Sequence, residues 1–268
     1  MSSDDASVPT EHLLSVAVDA AKDAGSVLLE YARSGFQIER KNPINLVTDA
    51  DHAAEQCIID HLRRCFPTHR TLAEERGVDG HGPSPYRWII DPLDGTTNFA
   101  HRFPVYAVSI AVAVDGVVEA AVVLDVPRGD RYTAVRDGGA HRNGEPIGVS
   151  RIDDPSKALI GTGFPFKHLV YVEEYQRQFA AVVRTTSGIR RAGAAALDLA
   201  AVANGWFEAF WELSLAPWDI AAGVLLVREA GGVVTNLEGG DVSGLTHGGL
   251  VAGSPTMHAW LLNTIRTA

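Results

Sequence analysis

Trp88-Ile89-Ile90-Asp91-Pro92-Leu93-Asp94-Gly95-Thr96-Thr97-Asn98-Phe99 is the stretch on which the reading of this chain turns. An apolar run ends in a carboxylate. Pro92 locks its own φ and removes a hydrogen-bond donor. A second carboxylate follows three residues after the first, and Gly95 lets the backbone turn tightly. Two acids held close repel each other, so the pattern is costly without a cation between them. Carboxylates and backbone carbonyls with no Cys or His nearby are hard oxygen donors, suited to Mg²⁺ or Mn²⁺ rather than zinc. Gly95-Thr96-Thr97 then offers consecutive N–H groups and hydroxyls, a cradle for an anion. Either acid alone reads as an Asx turn after a strand; the whole string together points to phosphoryl chemistry.

Working outward, the preceding residues divide into helix-like and strand-like segments. Leu13, Ala17, Ala20, Ala24, Val27, Leu28 and Tyr31 recur at helical spacing, with Gly35 as the expected cap. A second helix is predicted from Asp49 to Phe66, ended by Pro67. Thr48 with Asp51 three residues later is a capping pair. Arg70 to Glu74 and Arg87 to Ile90 read as short strands around a polar loop from Gly77 to Pro85. Val105 to Val114 and Val117 to Asp125 read as a hairpin turned by Asp115-Gly116, and Asn143-Gly144 marks another.

Downstream the pattern alternates. Strands are expected at Ala158 to Gly161, Phe207 to Glu212 and Gly232 to Thr235. Helices are expected at Val172 to Arg184, Gly193 to Ala203, Asp219 to Ala230 and from Met257 onward. The order is not strictly βαβ, so the expectation is α/β layers with mainly antiparallel sheets rather than a dinucleotide-binding fold. No Walker A or G-x-G-x-x-G run occurs. No G-x-S-x-G elbow surrounds Ser109 or Ser150, and no H-E-x-x-H or Cys/His cluster is found, which disfavours serine-hydrolase and zinc chemistry.

Composition bounds the remaining classes. The chain has 268 residues, 46% of them hydrophobic and 21% charged, enough to bury a core. With 23 Lys and Arg against 33 Asp and Glu, the net charge is −10, which disfavours direct nucleic-acid binding through a basic face. No apolar run reaches the roughly 18 residues of a membrane span. The start, Met1-Ser2-Ser3-Asp4-Asp5, is acidic and polar, unlike a secretory signal or mitochondrial presequence. Cys57 and Cys65 fall in one predicted helix about 12 Å apart, beyond disulfide reach, and are expected as free thiols on a buried face. A cytoplasmic location is the expectation.

The Trp88–Phe99 string resembles the signature of the inositol monophosphatase family, W-[IV]-[IV]-D-P-[IL]-D-G-T-x-N-F. Trp218-Asp219-Ile220-Ala221-Ala222-Gly223, followed by Glu229-Ala230-Gly231-Gly232, resembles that family's second signature. Leu72-Ala73-Glu74-Glu75 resembles its Gly-Glu-Glu segment, and Leu46-Val47-Thr48-Asp49-Ala50-Asp51 its Leu-Val-Thr-x-x-Asp segment. The matches stand in order and span about Leu13 to Trp260. The resemblance implies a single domain over residues 1–268, with halves of about 1–156 and 157–268. It implies a layered α/β/α/β sandwich of the inositol monophosphatase and sugar phosphatase type.

The resemblance also implies roles. Glu74, Asp91 and the Leu93 carbonyl would hold one Mg²⁺, and Asp91, Asp94 and Asp219 a second. Glu74 would orient a weaker third ion; Mn²⁺ is the other candidate metal. Thr96, bonded to Asp51, would position and deprotonate the attacking water. Divalent ions would neutralise the phosphate, lower the pKa of a water and stabilise the departing alkoxide. The substrate contacts would be Leu93, Asp94, Gly95, Thr96, Arg190, Gly193, Ala194, Ala195, Glu212 and Asp219, with Glu212 reading polyol hydroxyls. Bland readings stand beside these: a strand-end acid for Glu74, a helix N-cap for Asp219, a salt bridge or interface for Arg190, and core packing for the helix after Gly193.

The implied reaction is Mg²⁺-dependent hydrolysis of a small polyol phosphate, first of all myo-inositol 1-phosphate. Histidinol phosphate, fructose 1,6-bisphosphate, NADP or 3′-phosphoadenosine 5′-phosphate are alternatives. A homodimer and inhibition by Li⁺ are implied; the alternative from another class is a binding partner of the transcription machinery, a role some bacterial relatives take on. The chain departs from the family at Ala194, often Ser or Thr, and at Ala73, usually Gly. Trp206 and Phe207 add bulk near the Glu212 strand. Gly161-Thr162-Gly163-Phe164-Pro165-Phe166 resembles the bacterial branch, its rings facing a pocket, an interface or the core.

Overall fold

The computed structural model describes residues 8–42, 45–80, 83–166 and 168–268, with side chains 40–42 and 45 left aside. The acidic Met1–Asp5 start lies outside the described residues. Helix α1 (Thr10–Ser34) and helix α2 (Asp49–Cys65) flank a short hairpin, β1 (Ile38–Asn42) and β2 (Asn45–Thr48), which the sequence reading does not contain. Gly35 ends α1 with φ +100°, its N–H bonded to the Tyr31 carbonyl. Thr48 caps α2 in a reciprocal pair with Asp51.

An eight-stranded sheet follows, in the order β10-β9-β8-β7-β6-β5-β3-β4. Its strands are β3 (Arg70–Ala73), β4 (Gly77–Asp79), β5 (Tyr86–Asp94), β6 (Ala107–Val114), β7 (Val117–Asp125), β8 (Asp130–Val135), β9 (Gly139–Arg142) and β10 (Glu145–Pro146). Short helix α3 (Thr96–Ala100) follows β5. Only β3 and β5 pair parallel within this sheet. The expected loop from Gly77 to Pro85 therefore starts as a strand: β4 pairs with the edge of β3. Positive φ at Asp115 and Gly116, and at Asn143 and Gly144, makes the two expected hairpin turns.

The second sheet has five strands in the order β12-β11-β13-β15-β14. They are β11 (Leu159–Thr162), β12 (Gly188–Arg190), β13 (Ala209–Leu215), β14 (Val233–Asn236) and β15 (Gly248–Gly253). Interspersed are α4 (Val172–Val183), α5 (Ala195–Ala203), α6 (Pro217–Glu229) and α7 (Pro255–Arg266). Taken together the pairings are mainly antiparallel.

Strand alternation explains the layers. Trp88, Ile90, Val108, Ile110 and Val112 point toward α1 and α2 and bury there. Ile89, Ala107, Ala111, Ala113 and Ala121 point the other way, onto α5 and α6. These middle helices are themselves rich in Ala and bury their far side against Phe210, Leu250 and Ala252 of the second sheet. Small residues on both surfaces let two helices fit between two sheets. At Gly223 of α6 an added Cβ would lie 2.4 Å from Leu199 of α5. The α/β/α/β order is thus present, and α4 and α7 cover the outer face of the second sheet as a further layer.

Trp88 is fully buried, and its indole N–H donates to His69 Nδ1 at 3.0 Å. Burial pushes His69 down to about 4, so the ring is neutral and accepts. The cysteines differ from expectation: Cys57 is half-buried and Cys65 exposed. The helical face they share lies at the margin of the α1–α2 contact, where Ala54, Ile58 and Leu62 take the core positions. Among the described residues no helix is long and apolar enough to cross a membrane.

Candidate active site

Asp91 and Asp94 are three residues apart, and in a regular strand they would face opposite ways. The β5–β6 ladder pairs Asp91 with Ser109 but Asp94 with Ala107, so three steps on β5 oppose two on β6. That extra residue is a β-bulge at Pro92-Leu93, a place where a missing N–H costs no ladder bond. The bulge turns both carboxylates to one side. Gly95 follows with φ +94°, and a Cβ there would meet the Val105 carbonyl at 2.9 Å. Thr96 then opens α3.

Both carboxylates line a cavity of ≈ 270 Å³ between the two sheets. Glu74, just past β3, and Asp219, in the first turn of α6, line it too. The Glu74 N–H donates to the Ile90 carbonyl at 3.2 Å, prolonging the β3–β5 ladder. Asp219 is the third residue of its helix, not the N-cap, and accepts the Ala216 N–H at 2.7 Å. Asp94 accepts the Ala196 N–H at 2.7 Å, which ties the bulge to the start of α5. Asp91 accepts the Leu93 N–H at 3.0 Å through Oδ1, while its buried Oδ2 has no hydrogen-bond partner. Burial first, then the charges of Glu74, Asp94 and Asp219, push the Asp91 carboxyl well above the usual range.

Asp51 stands behind this wall rather than on it. Its Oδ2 accepts the Thr48 N–H and hydroxyl at 2.8 and 2.6 Å, and its Oδ1 accepts the Thr96 hydroxyl at 3.0 Å. Thr96 Oγ1 also lies 3.1 Å from the Leu93 carbonyl, so its single proton has two acceptors. Burial lifts Asp51 to about 6, against the bonds from Thr48. With its proton turned toward Asp51 or the Leu93 carbonyl, the Thr96 oxygen keeps a lone pair able to accept from a water in the cavity.

The opposite wall holds Gly193, Ala194 and Ala195 at the start of α5, with Gly163, Phe164, Phe166, Arg191, Asp198 and Glu212. Asn98 fixes this segment against the β5 loop, since its side-chain amide donates to Val105 O at 2.7 Å and Ala192 O at 2.9 Å. Glu212 lies over Gly163 so closely that a Cβ there would fall 2.0 Å from its carboxyl carbon.

The structure places two neighbouring arginines of this wall differently. Arg190 is exposed, bonds back to the Ile189 carbonyl at 3.1 Å, and borders a separate cavity of ≈ 420 Å³. Its neighbour Arg191 borders both cavities and reaches the acid-lined one, over the rings of Phe164 and Phe166 at 5.2 and 5.3 Å. One step along the chain after β12 changes which way the side chain points. Trp206 and Phe207 border the ≈ 420 Å³ cavity, and Phe207 packs beside Phe210 of the Glu212 strand at Gly161.

The sequence reading places Asp198 in the stretch from Arg190 to Leu199 that resembles the family's substrate lining, but gives it no role of its own. Asp198 is buried on α5, and its Oδ1 has no partner. Burial, then the charges of Glu212 and Asp94, raise its carboxyl well above the usual range, against the pull of Arg191. The available signal was a single acid within an otherwise apolar helix, Ala195–Ala203.

Chemically, the first wall is a set of hard oxygen donors whose mutual repulsion and unpartnered Asp91 Oδ2 match a divalent cation such as Mg²⁺. Among the described residues no three His, Cys, Asp or Glu side chains are already gathered as a metal-ligand group, so these acids share a cavity without closing on a common point.

A layered α/β fold with an acid-walled cavity between its sheets places the chain in the sugar-phosphatase class of folds. More narrowly, the chain belongs to the inositol monophosphatase family, whose profile matches residues 10–268. It is 45% identical over 260 residues to the Nus factor SuhB of Pseudomonas aeruginosa, covering 95% of this chain and 96% of that protein. The crystal structure of extragenic suppressor protein suhB from Bartonella henselae superposes with a TM-score of 0.91 at 37% identity, covering 96% of this chain and 99% of that one. Inositol monophosphatase from Anabaena gives 0.82 at 35% identity, covering 96% of each chain.

Proposed function

We propose that this chain is a Mg²⁺-dependent phosphomonoesterase acting on a small phosphorylated polyol, with myo-inositol 1-phosphate as first substrate. The observation that carries the reading is the β5 bulge, which turns Asp91 and Asp94 into one cavity with Glu74 and Asp219 and leaves Asp91 Oδ2 without a partner. Glu74, Asp91, the Leu93 carbonyl, Asp94 and Asp219 would hold two or three ions, Mg²⁺ ahead of Mn²⁺. When bound, such ions supply charge neutralisation at the phosphate and activation of water.

The remaining steps belong to the protein's own groups. Gly95, Thr96 and the N–H groups of Gly193, Ala194 and Ala195 cradle the phosphate oxygens, and the α5 N-terminus favours their charge. Thr96 orients the attacking water by accepting one of its hydrogens. Asp51 takes the Thr96 proton as the water gives up its own. Glu212 accepts hydrogen bonds from the alcohol's hydroxyls. Ala194 offers no hydroxyl, so its role is limited to its backbone. Arg191, which lines the acid-walled cavity, takes the place that the resemblance implied for Arg190.

A panel of phosphate esters with Mg²⁺, compared by kcat/KM, tests this. Myo-inositol 1-phosphate is expected to lead histidinol phosphate, fructose 1,6-bisphosphate, NADP and 3′-phosphoadenosine 5′-phosphate, and a flat profile would defeat the inositol assignment. Li⁺ in the millimolar range is expected to inhibit. A homodimer is the expected assembly, to be read by light scattering.

A second reading has its own support, because relatives at 42–45% identity carry the name Nus factor. It assigns the chain a protein partner in the transcription machinery, alongside catalysis. Asp94→Asn separates the two: it is expected to abolish ester hydrolysis with the fold intact, while a partner role survives.

A further inference from the structure

Helix α2 carries a second carboxylate that the reaction scheme does not use. Glu55 lies four residues after Asp51, one helical turn further along the same face. Its side chain is fully buried. Its Oε2 accepts the Glu75 N–H at 2.9 Å, and its Oε1 lies 3.3 Å from Arg76 Nε. Arg76 also donates to the side-chain amide oxygen Oε1 of Gln56 on the same helix.

These bonds bear on Glu74. On its N-terminal side the backbone is fixed by the β3–β5 ladder, through the Glu74 N–H to Ile90. Beyond Glu74 the parallel ladder stops, and the chain turns back at once into β4. The parallel ladder does not reach the peptide that follows Glu74; the Ala73–Gly77 pair of β3 and β4 closes the turn behind it. The Glu55–Glu75 bond ties that peptide directly to helix α2, from the other side. Repulsion from Asp91 pushes the Glu74 carboxylate outward, and the buried tie opposes that movement of its backbone.

We propose that Glu55 is a positioning residue: by holding the Glu75 N–H it fixes Glu74 at the cavity wall and so sets the affinity for the divalent cation. Helix α2 then serves both ends of the site, Asp51 through Thr96 and Glu55 through the Glu74–Glu75 peptide. The inference rests on the metal-dependent reading above.

The test measures Mn²⁺ binding by electron paramagnetic resonance, without substrate, in wild type, Glu55→Asp and Glu55→Gln. Asp is one methylene short of Glu75, whereas Gln keeps a carbonyl acceptor at full reach. Glu55→Asp is expected to weaken Mn²⁺ binding by about 10- to 100-fold, with kcat recovering at saturating metal, and Glu55→Gln by only about threefold. A purely structural role would lower the melting midpoint and leave the affinity of the folded protein unchanged. That result overturns the proposal, as does a Gln variant as weak as the Asp variant. Wild type that binds no Mn²⁺ or Mg²⁺ overturns the metal-dependent reading itself, and this inference with it. Should Glu55→Asp fail to fold, hydrogen exchange in wild type decides. Binding at Glu74 and closure of the Glu75 N–H must favour each other, so Mn²⁺ is expected to slow that amide by about tenfold or more. Unchanged exchange overturns the proposal.

Discussion

Asp51 does two jobs with two oxygens. One oxygen caps α2 through Thr48, and the other receives the Thr96 hydroxyl. The capping and catalytic readings of this residue are compatible because a carboxylate accepts on both sides at once. Removing the base should be costly: Asp51→Asn and Thr96→Ala are each expected to lower kcat by about 10²- to 10⁴-fold with little change in KM, while Thr96→Ser keeps most of the rate. Stopped-flow or steady-state assays check this. The carboxyl also carries a pH signature, because burial lifts it from 3.8 to about 6. A carboxyl raised on folding holds its proton more tightly in the folded state. Its contribution to stability is complete below about pH 4 and is lost as pH rises through about 6. Without metal, wild type is therefore expected to lose about 2 kcal/mol relative to Asp51→Asn between pH 4 and pH 7, read from urea midpoints. His69, pushed down to about 4, titrates in the same range but equally in both proteins.

Two contacts between elements invite substitution away from the cavity. Gly223 brings α6 onto Leu199 of α5, where an added Cβ would sit 2.4 Å from that side chain. Gly223→Val is expected to cost about 1–3 kcal/mol by overpacking the middle layer, measured by chemical denaturation. Glu229, at the end of α6, accepts the N–H groups of Asp137 and Gly139 at 3.0 and 2.9 Å, fastening the β8–β9 turn. Glu229→Ala is expected to cost about 1–3 kcal/mol with kcat/KM unchanged. Elements with strong local signals were legible in advance. The apolar stripes of α1 and α2 and the Asp115-Gly116 and Asn143-Gly144 turns needed no neighbour to be recognised. Strand β15 is the opposite case. The sequence reading assigns no element to its residues, Gly248–Gly253, and it is a strand because β13 and β14 pair with it on both edges. Strands β1, β2 and β12 are short and take their form from their partners in the same way.

The whole molecule concentrates acids between its two sheets, and Asp91 and Asp198 there are both raised by burial ahead of any other cause. Such a cluster opposes folding until a cation relieves it. Mg²⁺ at about 100 times its dissociation constant is expected to stabilise wild type by about 2.7 kcal/mol. Asp94→Asn is expected to lose most of that increment. Its metal-free midpoint is expected to equal or exceed that of wild type, since one repelling charge is gone. Calorimetric scans with Mg²⁺ and with a chelator compare the two directly.

Local chemistry was enough to name the acids, the glycine turn and the capping pair, because each rests on residues within a few positions of one another. Orientation was a different matter. Whether Arg190 or Arg191 enters the cavity, and whether Asp198 belongs to it, depends on how α5 meets the second sheet, and no short stretch of chain encodes that meeting. The bulge lies between these extremes: Pro92 hints at it, but only pairing with β6 converts a three-residue spacing into two carboxylates on one side. Side-chain direction in a sheet is set by register, and register is a property of two strands rather than one.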